Sequence, residues 1–349
     1  MSKIRRSSRS VRSRRHVRIG YQLSSEEHPP NDLVKYAQLA EEHGFSFATI
    51  SDHFHPWTDT QGQSPFVWAV IGGIAHATER LELGTWVTCP TMRMHPAIVA
   101  HAAATAAAMM EGRFFLGVGT GENLNEHIVG AGWPETEVRQ ERLEEAIGVI
   151  RLLWEGGNKS HHGRYYTVEN ARLYTLPKEP PPLLVAVGGA SSAQMAGRAG
   201  DGFIATSPER DLIELFDKAG GKGKPRYGSL TVCWAKDEKA ARRTAHRIWP
   251  TVAMESSLSW ELPLPKHFED VAELVTEDAV AEEIVCGPDP ERHVKAIMKY
   301  VEAGFDHIGI HQVGPDQAGF FRFYATEVLP QIDGSQKRAY RAPRSARTT

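Results

Sequence analysis

The chain has 349 residues, 41% of them hydrophobic, and a formal net charge of −3. This length and apolar content suit one large α/β domain, and no apolar run reaches the roughly 18–20 residues of a membrane-spanning helix. Three widely spaced cysteines, Cys89, Cys233 and Cys286, form no C-x-x-C motif. They argue against a disulfide framework and predict small core residues in a reducing cytoplasm.

The positive charge is concentrated at the two ends of the chain. Residues 1–18 carry eight lysines and arginines and residues 335–349 carry five, with no acid in either; without these thirteen charges, the net charge of −3 becomes −16. We therefore predict basic disordered tails at 1–16 and 333–349 around one domain at 17–332. An Arg/Ser-rich start can also be a nucleic-acid or membrane-surface arm. It lacks the apolar stretch of an export signal, and a disordered tail or a misplaced start codon is the favoured interpretation.

Short apolar runs alternate with helical patterns along the domain. The predicted strands are Val17–Tyr21, Phe47–Ile50, Leu81–Val87, Phe114–Val118, Leu183–Val187, Asp201–Ala205, Leu230–Trp234 and His307–His311. Apolar residues at a 3.6-residue spacing predict the intervening helices, which cover about 31–43, 64–78, 96–110, 134–154, 208–219, 238–248, 268–283, 290–304 and 317–329.

Eight buried strands alternating with helices are typical of a single (β/α)8 TIM barrel, here with insertions. The rhythm is interrupted at Gly156–Tyr166 and Pro177–Pro182, where we expect an excursion from the barrel. A doubly wound open sheet is the alternative, but no G-x-G-x-x-G motif follows the first strand.

Two strands end in residues that can do chemistry. The run Phe114–Val118 leads into Gly119-Thr-Gly-Glu122, and Ala48–Ile50 leads into Ser51-Asp-His-Phe-His-Pro-Trp57. We expect Gly119 and Gly121 to adopt positive φ and to let the backbone approach a flat ligand. Alone, the first stretch fits an ordinary strand-to-helix turn equally well, with Glu122 capping the helix.

In a TIM barrel, the carboxyl ends of all eight strands meet at one face, where catalytic groups lie. Acids, imidazoles and tryptophans predominate there, which predicts a pocket for a planar heterocycle and an alcohol. The residues collected at this face are Glu26, Glu27, Asp52, His53, His55, Trp57, Trp86–Cys89, Thr120, Glu122, Asn125, Gly188, Gly189, Thr206, Trp234 and His311.

These motifs resemble the luciferase-like oxidoreductase superfamily, and within it the group of coenzyme F420-dependent glucose-6-phosphate dehydrogenases. The resemblance runs from about Arg18 to Leu329. It is carried by Gly20-Tyr21, Ser51–Phe54 with Pro56-Trp57, Leu116–Glu122 with Leu124–Glu126, Gly188-Gly189, Ala196–Phe203 and Thr206-Ser207. It implies a luciferase-like barrel, coenzyme F420 as cofactor, and hydride transfer between a CH–OH group and C5 of the deazaflavin.

The resemblance also implies the roles of single residues. His53 is the base that takes the hydroxyl proton, which suits an imidazole; Glu122 protonates or hydrogen-bonds the cofactor ring. Trp57 stabilises the transition state of the transfer, and Glu26 is a second carboxylate near the substrate. Asp52 binds the cofactor and can also fix the histidine. The full predicted cofactor-binding set is Asp52, Trp86, Val87, Thr120, Gly121, Asn125, Ala186, Val187, Gly188 and Gly189.

Two details of the cofactor site can be checked in coordinates. We expect a non-prolyl cis peptide at Trp86-Val87, where the superfamily has one, and free backbone N–H groups at Gly188-Gly189 for the cofactor phosphate. A metal bound by the Asp52-His53-x-His55 pattern is the less favoured interpretation, because no third ligand type is in view.

The predicted substrate pocket departs from the family. Thr206 matches the phosphate-binding threonine, but the family's basic residues fall on Glu209, Ser259 and Glu283. Because carboxylates repel a phosphate, we expect an uncharged alcohol, a free sugar or a hydroxylated metabolite rather than glucose 6-phosphate. Trp133, Trp234 and Trp260 are expected to line the opening.

Two other functions remain open. One is an FMN-dependent luciferase-like monooxygenase, which has no need of a base beside a carbinol. The other is a non-enzymatic protein that binds nucleic acid through its tails. The favoured interpretation is a cytoplasmic F420-dependent dehydrogenase or reductase without a nucleic-acid partner or a metal, and a homodimer is expected by family analogy.

Overall fold

Eight parallel strands form a closed cylinder in the computed structural model, which describes residues 17–254 and 256–332. The structure also contains a separate two-stranded hairpin and one short extra strand beside one of the barrel strands. The strands are β1 Arg18–Leu23, β2 Phe47–Ile50, β3 Glu82–Thr85, β4 Phe114–Val118, β5 Lys159–His162, β6 Thr167–Ala171, β7 Leu183–Ala186, β8 Gly202–Ala205, β9 Arg226–Cys233, β10 Val285–Cys286 and β11 His307–Gln312.

Strand pairing confirms the predicted barrel. The order around it is β9-β11-β1-β2-β3-β4-β7-β8, and β8 pairs with β9 to close the ring. Where the ring closes, Phe203 of β8 lies opposite Arg226 of β9, and in the β1–β11 pair Gly20 aligns with Gly309. All of these pairs are parallel, so the eight carboxyl ends share one face.

Helices surround the cylinder and cover part of its mouth. Among the described residues they are α1 Pro30–Glu42, α2 Val67–Ala77, α3 Pro96–Met110, α4 Asn123–Glu126, α5 Thr136–Trp154, α6 Ala190–Ala199, α7 Arg210–Phe216, α8 Glu238–Ile248, α9 Ser256–Glu261, α10 Pro265–Ala272, α11 Glu277–Glu283, α12 Pro290–Ala303 and α13 Gln317–Phe323. No helix in this part of the chain has the length and apolarity needed to cross a membrane.

The structure differs from the predicted elements at several places. The expected excursion contains the antiparallel hairpin β5–β6, and the residues of β5 alternate between half-buried and exposed. Strand β9 begins at Arg226, four residues before the apolar run, because its first residues pair with both β8 and β11. The single helix expected over 268–283 is two helices, α10 and α11, and the short helix α9 precedes them.

A small aromatic and aliphatic cluster lies beneath the mouth of the barrel. Phe47, Phe115, Leu184, Ile204 and Tyr227 come from five barrel strands and pack together, with Trp86 and Val87 against them. This cluster closes the barrel below the site, so the site has a rigid floor. The three cysteines are free and buried, as predicted.

The tails predicted at 1–16 and 333–349 lie outside the described residues.

Candidate active site

His53 lies between two carboxylates at the carboxyl end of β2. Its Nε2 is 3.4 Å from Oε2 of Glu122, and its Nδ1 is 3.3 Å from Oε1 of Glu26. The second distance is within ion-pair range but not in hydrogen-bond geometry, and Nδ1 is buried without a hydrogen-bond partner among the described residues. The imidazole is therefore placed to take a proton and to have its charge stabilised from both sides.

Hydroxyl groups fix Glu26 in its position after β1. Ser24 Oγ and Ser51 Oγ both donate to its Oε2, at 2.9 and 2.7 Å, and the residue is only 2% exposed. One oxygen is thus held by the protein, which leaves the other directed at His53. Glu26, rather than Asp52, is the carboxylate on the Nδ1 side of this histidine.

Asn125 joins the strand-end loop of His53 to the loop of Glu122. Its Nδ2 donates to Oε2 of Glu122 at 2.9 Å, while its Oδ1 accepts from the main-chain N–H groups of Phe54 and His55 at 2.8 and 3.1 Å. Glu122 occupies the N-cap position of α4, yet its side chain makes no capping hydrogen bond. The interpretation of Glu122 as a mere helix cap is therefore wrong, and its carboxylate is directed into the site.

Trp57 lies beside the imidazole of His53. The two ring centroids are 5.1 Å apart at an interplanar angle of 61°, and the far side of the indole contacts Phe268 of α10 at 5.2 Å. Gln61 accepts from the main-chain N–H of Trp57 at 2.9 Å and donates to the carbonyl of Ile248 at 3.2 Å. The tryptophan is thus held from both its backbone and its ring.

Asp52 belongs to a buried ionic network that the sequence did not reveal. Thr88 Oγ1 donates to its Oδ2 at 2.7 Å, and Arg93 Nη2 donates to its Oδ1 at 2.9 Å. The same guanidinium lies 3.5 Å from Oε1 of Glu126, and the main-chain N–H of Arg93 donates to Oε2 at 2.7 Å. Both oxygens of Asp52 are therefore engaged within the protein, and its contact with a cofactor stays a prediction.

Burial sets the electrostatics of this network. Burial alone would lower the pKa of Arg93, but Asp52 and Glu126 outweigh that effect and raise it. Burial raises the pKa of Glu126 even though Arg93 opposes the change. One cation between two nearly fully buried carboxylates is consistent with both directions. Glu126 was part of the recognised Leu124–Glu126 motif, whereas Arg93 had no signal beyond its position after β3.

The backbone around β3 and β4 is shaped for close approach. The peptide bond Trp86-Val87 is cis, as predicted, and Gly121 has a φ of 79°. A Cβ on Gly121 would lie 2.6 Å from Sγ of Cys89. Gly119 does not have the expected positive φ. A glycine is needed at this position because a Cβ there would lie 2.6 Å from Cγ2 of Val87. Thr120 between them is half-buried.

The end of β7 corrects one expectation. Ala186 is half-buried and Val187 is buried, as expected at the rim of a barrel. The main-chain N–H groups of Gly188 and Gly189 are not free, however. Both lie 3.2 Å from Oγ of Ser192, which accepts from them. The indole of Trp260 covers Gly188 so closely that a Cβ there would meet it at 3.1 Å.

The predicted substrate residues lie on the opposite side of the mouth from β3. Thr206 and Glu209 are exposed after β8, Glu283 is exposed at the end of α11, and Ser259 is half-buried in α9. The hydroxyl of Tyr300 lies 2.6 Å from the carbonyl oxygens of both Thr206 and Ser229. Burial, and secondarily the charge of Glu283, raises the pKa of Tyr300. Glu283 and Thr206 are thus both close to one tyrosine.

Only part of the predicted tryptophan-rich opening is present. Trp234 is buried, because Gly319 and the stacked ring of Phe323 at 5.7 Å cover it. Trp133 is half-buried beneath the guanidinium of Arg139, which lies 4.3 Å from its ring centroid. Of the three, Trp260 is the one whose indole lies against a predicted cofactor-binding residue, Gly188.

A second buried carboxylate and imidazole occupy the face between β1 and β11. Nε2 of His311 lies 3.0 Å from Oε1 of Glu27, which also accepts from Nε1 of Trp249. Burial alone would raise the pKa of Glu27, but the hydrogen bond and charge of His311 hold it below its usual value. This pair fixes Trp249, where α8 ends and the segment leading to α9 begins.

The alternative of a metal site is not supported by how its candidate ligands are used. Asp52 binds Arg93 and Thr88, His53 faces Glu26 and Glu122, and Nδ1 of His55 lies 2.9 Å from the carbonyl of Leu124. Within residues 17–254 and 256–332, no three acids, histidines or cysteines are grouped as metal ligands.

Similarity to known proteins agrees with this geometry. The sequence pattern of the luciferase-like monooxygenase family matches residues 15–307. The chain is 37% identical over 333 residues to an F420-dependent glucose-6-phosphate dehydrogenase of Beutenbergia cavernae, covering 92% of this chain and 99% of the relative. It is 38% identical over 329 residues to the enzyme of that name from Kribbella flavida, covering 90% and 98%.

A solved structure gives the same picture. An F420-dependent secondary alcohol dehydrogenase, in complex with an F420–acetone adduct, superposes with a TM-score of 0.85 and 31% identity. The match covers 91% of this chain and 99% of that one. This chain therefore belongs to the luciferase-like family, in the group of the coenzyme F420-dependent glucose-6-phosphate dehydrogenases.

Proposed function

We propose that this chain is an F420-dependent dehydrogenase or reductase, which transfers a hydride between the carbinol carbon of an uncharged alcohol, free sugar or hydroxylated metabolite and the deazaflavin. The observation that carries the proposal is the position of His53 between Glu26 and Glu122 at the mouth of the barrel. A base held between two acids suits a reaction in which a hydroxyl proton and a hydride leave together.

The residues at the ends of β3, β4 and β7 fit a flat cofactor. Because Gly119 and Gly121 lack a Cβ, the backbone can pack closely against Val87 and Cys89, and Trp86 and Val87 pack against the apolar cluster that forms the floor of the site. When bound, F420 supplies the carbon that accepts or donates the hydride. Asn125, Thr120 and the Ala186–Gly189 segment are the further groups we assign to holding it.

Proton movements are assigned to the chain's own side chains. His53 takes the hydroxyl proton at Nε2, the nitrogen that faces the more open carboxylate, since the side chain of Glu122 is 26% exposed and that of Glu26 only 3%. Glu26 then stabilises the imidazolium through its free oxygen. With F420 bound, Glu122 would serve the ring nitrogen of the cofactor as a proton donor, and Trp57 would shield His53 from water.

The substrate assignment is based on charge. Glu209 and Glu283 stand where the family has cations, and both are exposed near Thr206. A phosphate there would lose charge-assisted contacts worth about 1.5–3 kcal/mol each. We therefore expect glucose 6-phosphate to be a poor substrate.

The direct test mixes purified protein and oxidised F420 with alcohols, sugars and sugar phosphates, and follows the loss of deazaflavin absorbance. We expect bleaching with uncharged substrates; turnover of glucose 6-phosphate at an ordinary millimolar KM contradicts the substrate assignment. Parallel titrations with FMN distinguish the proposal from the monooxygenase alternative. The proposal requires F420 to quench tryptophan fluorescence at a lower concentration than FMN does.

A charge-restoring variant makes this test sharper. The variant Glu209→Lys/Glu283→Arg should raise kcat/KM for glucose 6-phosphate by at least about ten- to a hundredfold, because even one restored contact is worth about 1.5–3 kcal/mol. The matched control, Glu214→Lys/Glu282→Arg, changes net charge equally at exposed neighbouring positions. An equal gain in both variants would show a general charge effect instead of a phosphate site.

The predicted homodimer stays a prediction.

A further inference from the structure

An apolar groove lies between α9 and α10, beside the mouth of the barrel. Its volume is about 610 Å³, and six of its eight lining residues are apolar. We call it the α9–α10 groove; the residues that matter below are Met254, Leu258, Glu261, Val271, Leu274 and Val275. Leu258 and Leu274 are 38% and 83% exposed, which is unusual for large apolar side chains close together.

One wall of the groove is attached to the catalytic histidine. Val271 lies one helical turn after Phe268 on α10, so both belong to the same face of that helix. Phe268 is fully buried and contacts Trp57 at 5.2 Å, and Trp57 contacts His53 at 5.1 Å. The apolar face of α10 therefore runs from the imidazole out into the groove.

The other wall is attached to the second catalytic residue. Leu258 and Glu261 lie one turn apart on α9 and both line the groove. The carbonyl of Glu261 accepts from Nδ2 of Asn123 at 2.9 Å, and Asn123 directly follows Glu122. Both walls thus pack, through Phe268 of α10 and Asn123 of α4, against residues next to the catalytic pair.

The chemistry of the groove selects its occupant. Its eight lining residues include no lysine or arginine, and its single carboxylate, on Glu261, is paired with Arg139 at 3.2 Å. Nothing in this lining favours a phosphate or carboxylate, whereas six apolar side chains favour hydrocarbon. The volume is in the range of about 300–1,000 Å³ that is usual for small-molecule sites.

We propose that the α9–α10 groove binds the alkyl chain of the substrate, so that the preferred substrate is an alcohol whose carbinol carbon lies at His53 and whose long hydrocarbon chain occupies the groove. This inference rests on the proposed function and narrows its substrate class.

The test is a chain-length series of 2-alkanols, from 2-propanol to 2-decanol, with oxidised F420. In the wild-type protein, kcat/KM should rise by up to about three- to fourfold per added methylene until the groove is filled. In the variant Leu258→Gln/Val271→Gln this rise should nearly vanish, while kcat/KM for 2-propanol stays within about twofold. The control Leu264→Gln changes a 43% exposed leucine that does not line the groove, and it should keep the wild-type slope.

Equal slopes in the wild type and the groove variant would overturn the proposal. The proposal would also be overturned if sedimentation showed that the wild type is a dimer and that Leu274→Lys converts it to monomers, because a second copy of the chain would then cover the groove. If no alcohol reduces F420, the proposed function fails, and calorimetric titration with 2-decanol still tests the groove. Binding at least tenfold tighter in the wild type than in the groove variant supports it, and equal or absent binding refutes it.

Discussion

Nε2 of His53 lies 3.4 Å from Oε2 of Glu122, although the two residues follow different strands of the barrel. The distance is set by Asn125, whose amide nitrogen holds that same carboxylate oxygen and whose amide oxygen holds two N–H groups directly after His53. One amide thus fixes both partners in a common frame, so neither residue needs to be ordered by substrate before reaction.

Removing the imidazole should abolish most of the activity. We expect His53→Asn to lower kcat by about 10²- to 10⁴-fold, the usual contribution of general base catalysis, with little change in F420 affinity. Steady-state kinetics and fluorescence titration measure the two effects. The control His55→Gln alters the neighbouring histidine, whose Nδ1 faces the carbonyl of Leu124, and should stay within a few fold of wild type. A loss of the same size in both variants would indicate damage to the loop.

Removing Arg93 should destabilise the fold. Arg93→Met leaves Asp52 and Glu126 without their cation, and their side chains are each only 1% exposed. Breaking a buried ion pair by removing one partner typically costs about 3–5 kcal/mol, which urea unfolding would measure. Arg164→Met removes an ion pair with Glu141 whose side chains are 71% and 50% exposed, and should change stability little. Similar unfolding midpoints for the two variants would contradict the account given for this network.

Gly121 is needed for two reasons that a matched pair of variants can separate. Gly121→Ala introduces a Cβ at a φ of 79° and 2.6 Å from Sγ of Cys89. Gly130→Ala has nearly the same φ, 75°, with nothing within 4 Å of the new atom. We expect the second change to cost about 1–2 kcal/mol from the backbone alone, and the first to cost more in thermal unfolding and to weaken F420 binding. Equal losses in stability would mean that the contact with Cys89 relaxes freely.

Burial of His293 should make stability depend on pH. Its Nδ1 lies 2.9 Å from the hydroxyl of Tyr324 and its Nε2 lies 3.0 Å from the carbonyl of Gly287, and burial lowers its pKa to about 4. Between pH 4 and the unfolded value near ~6.5, the unfolded chain binds more protons than the native one. The free energy of unfolding is therefore highest, as far as His293 is concerned, above pH ~6.5. It falls as the pH is lowered towards 4, by roughly 3 kcal/mol in all.

Urea unfolding at pH 7.5 and pH 5 measures this dependence. His293→Gln does not titrate and should show a smaller loss of stability between the two pH values, even though it is less stable at both. The exposed His101→Gln should keep the wild-type difference. An unchanged difference in His293→Gln would assign the pH effect to other groups.

The barrel and the loops that carry His53 and Glu122 can be predicted from the amino-acid sequence alone. Short apolar strands alternating with amphipathic helices have few packing solutions, and parallel strands bring their carboxyl ends to one face. That is why His53, Glu122, Glu26 and Trp57 could be placed on one face from the sequence, and the family resemblance then singled them out from the other strand-end residues. The cis bond at Trp86-Val87 followed from family resemblance, since nothing in local residue preference would predict it.

Which side chains bind one another can be seen only in the folded chain. Glu26 rather than Asp52 lies on the Nδ1 side of His53, Arg93 holds Asp52 and Glu126, and Ser192 occupies the N–H groups expected to be free at Gly188-Gly189. The physical reason is that hydrogen bonds and ion pairs depend on distances of a few tenths of an ångström between elements far apart in the chain. Periodicity places a residue at a strand end, but the packing of neighbouring loops selects its partner.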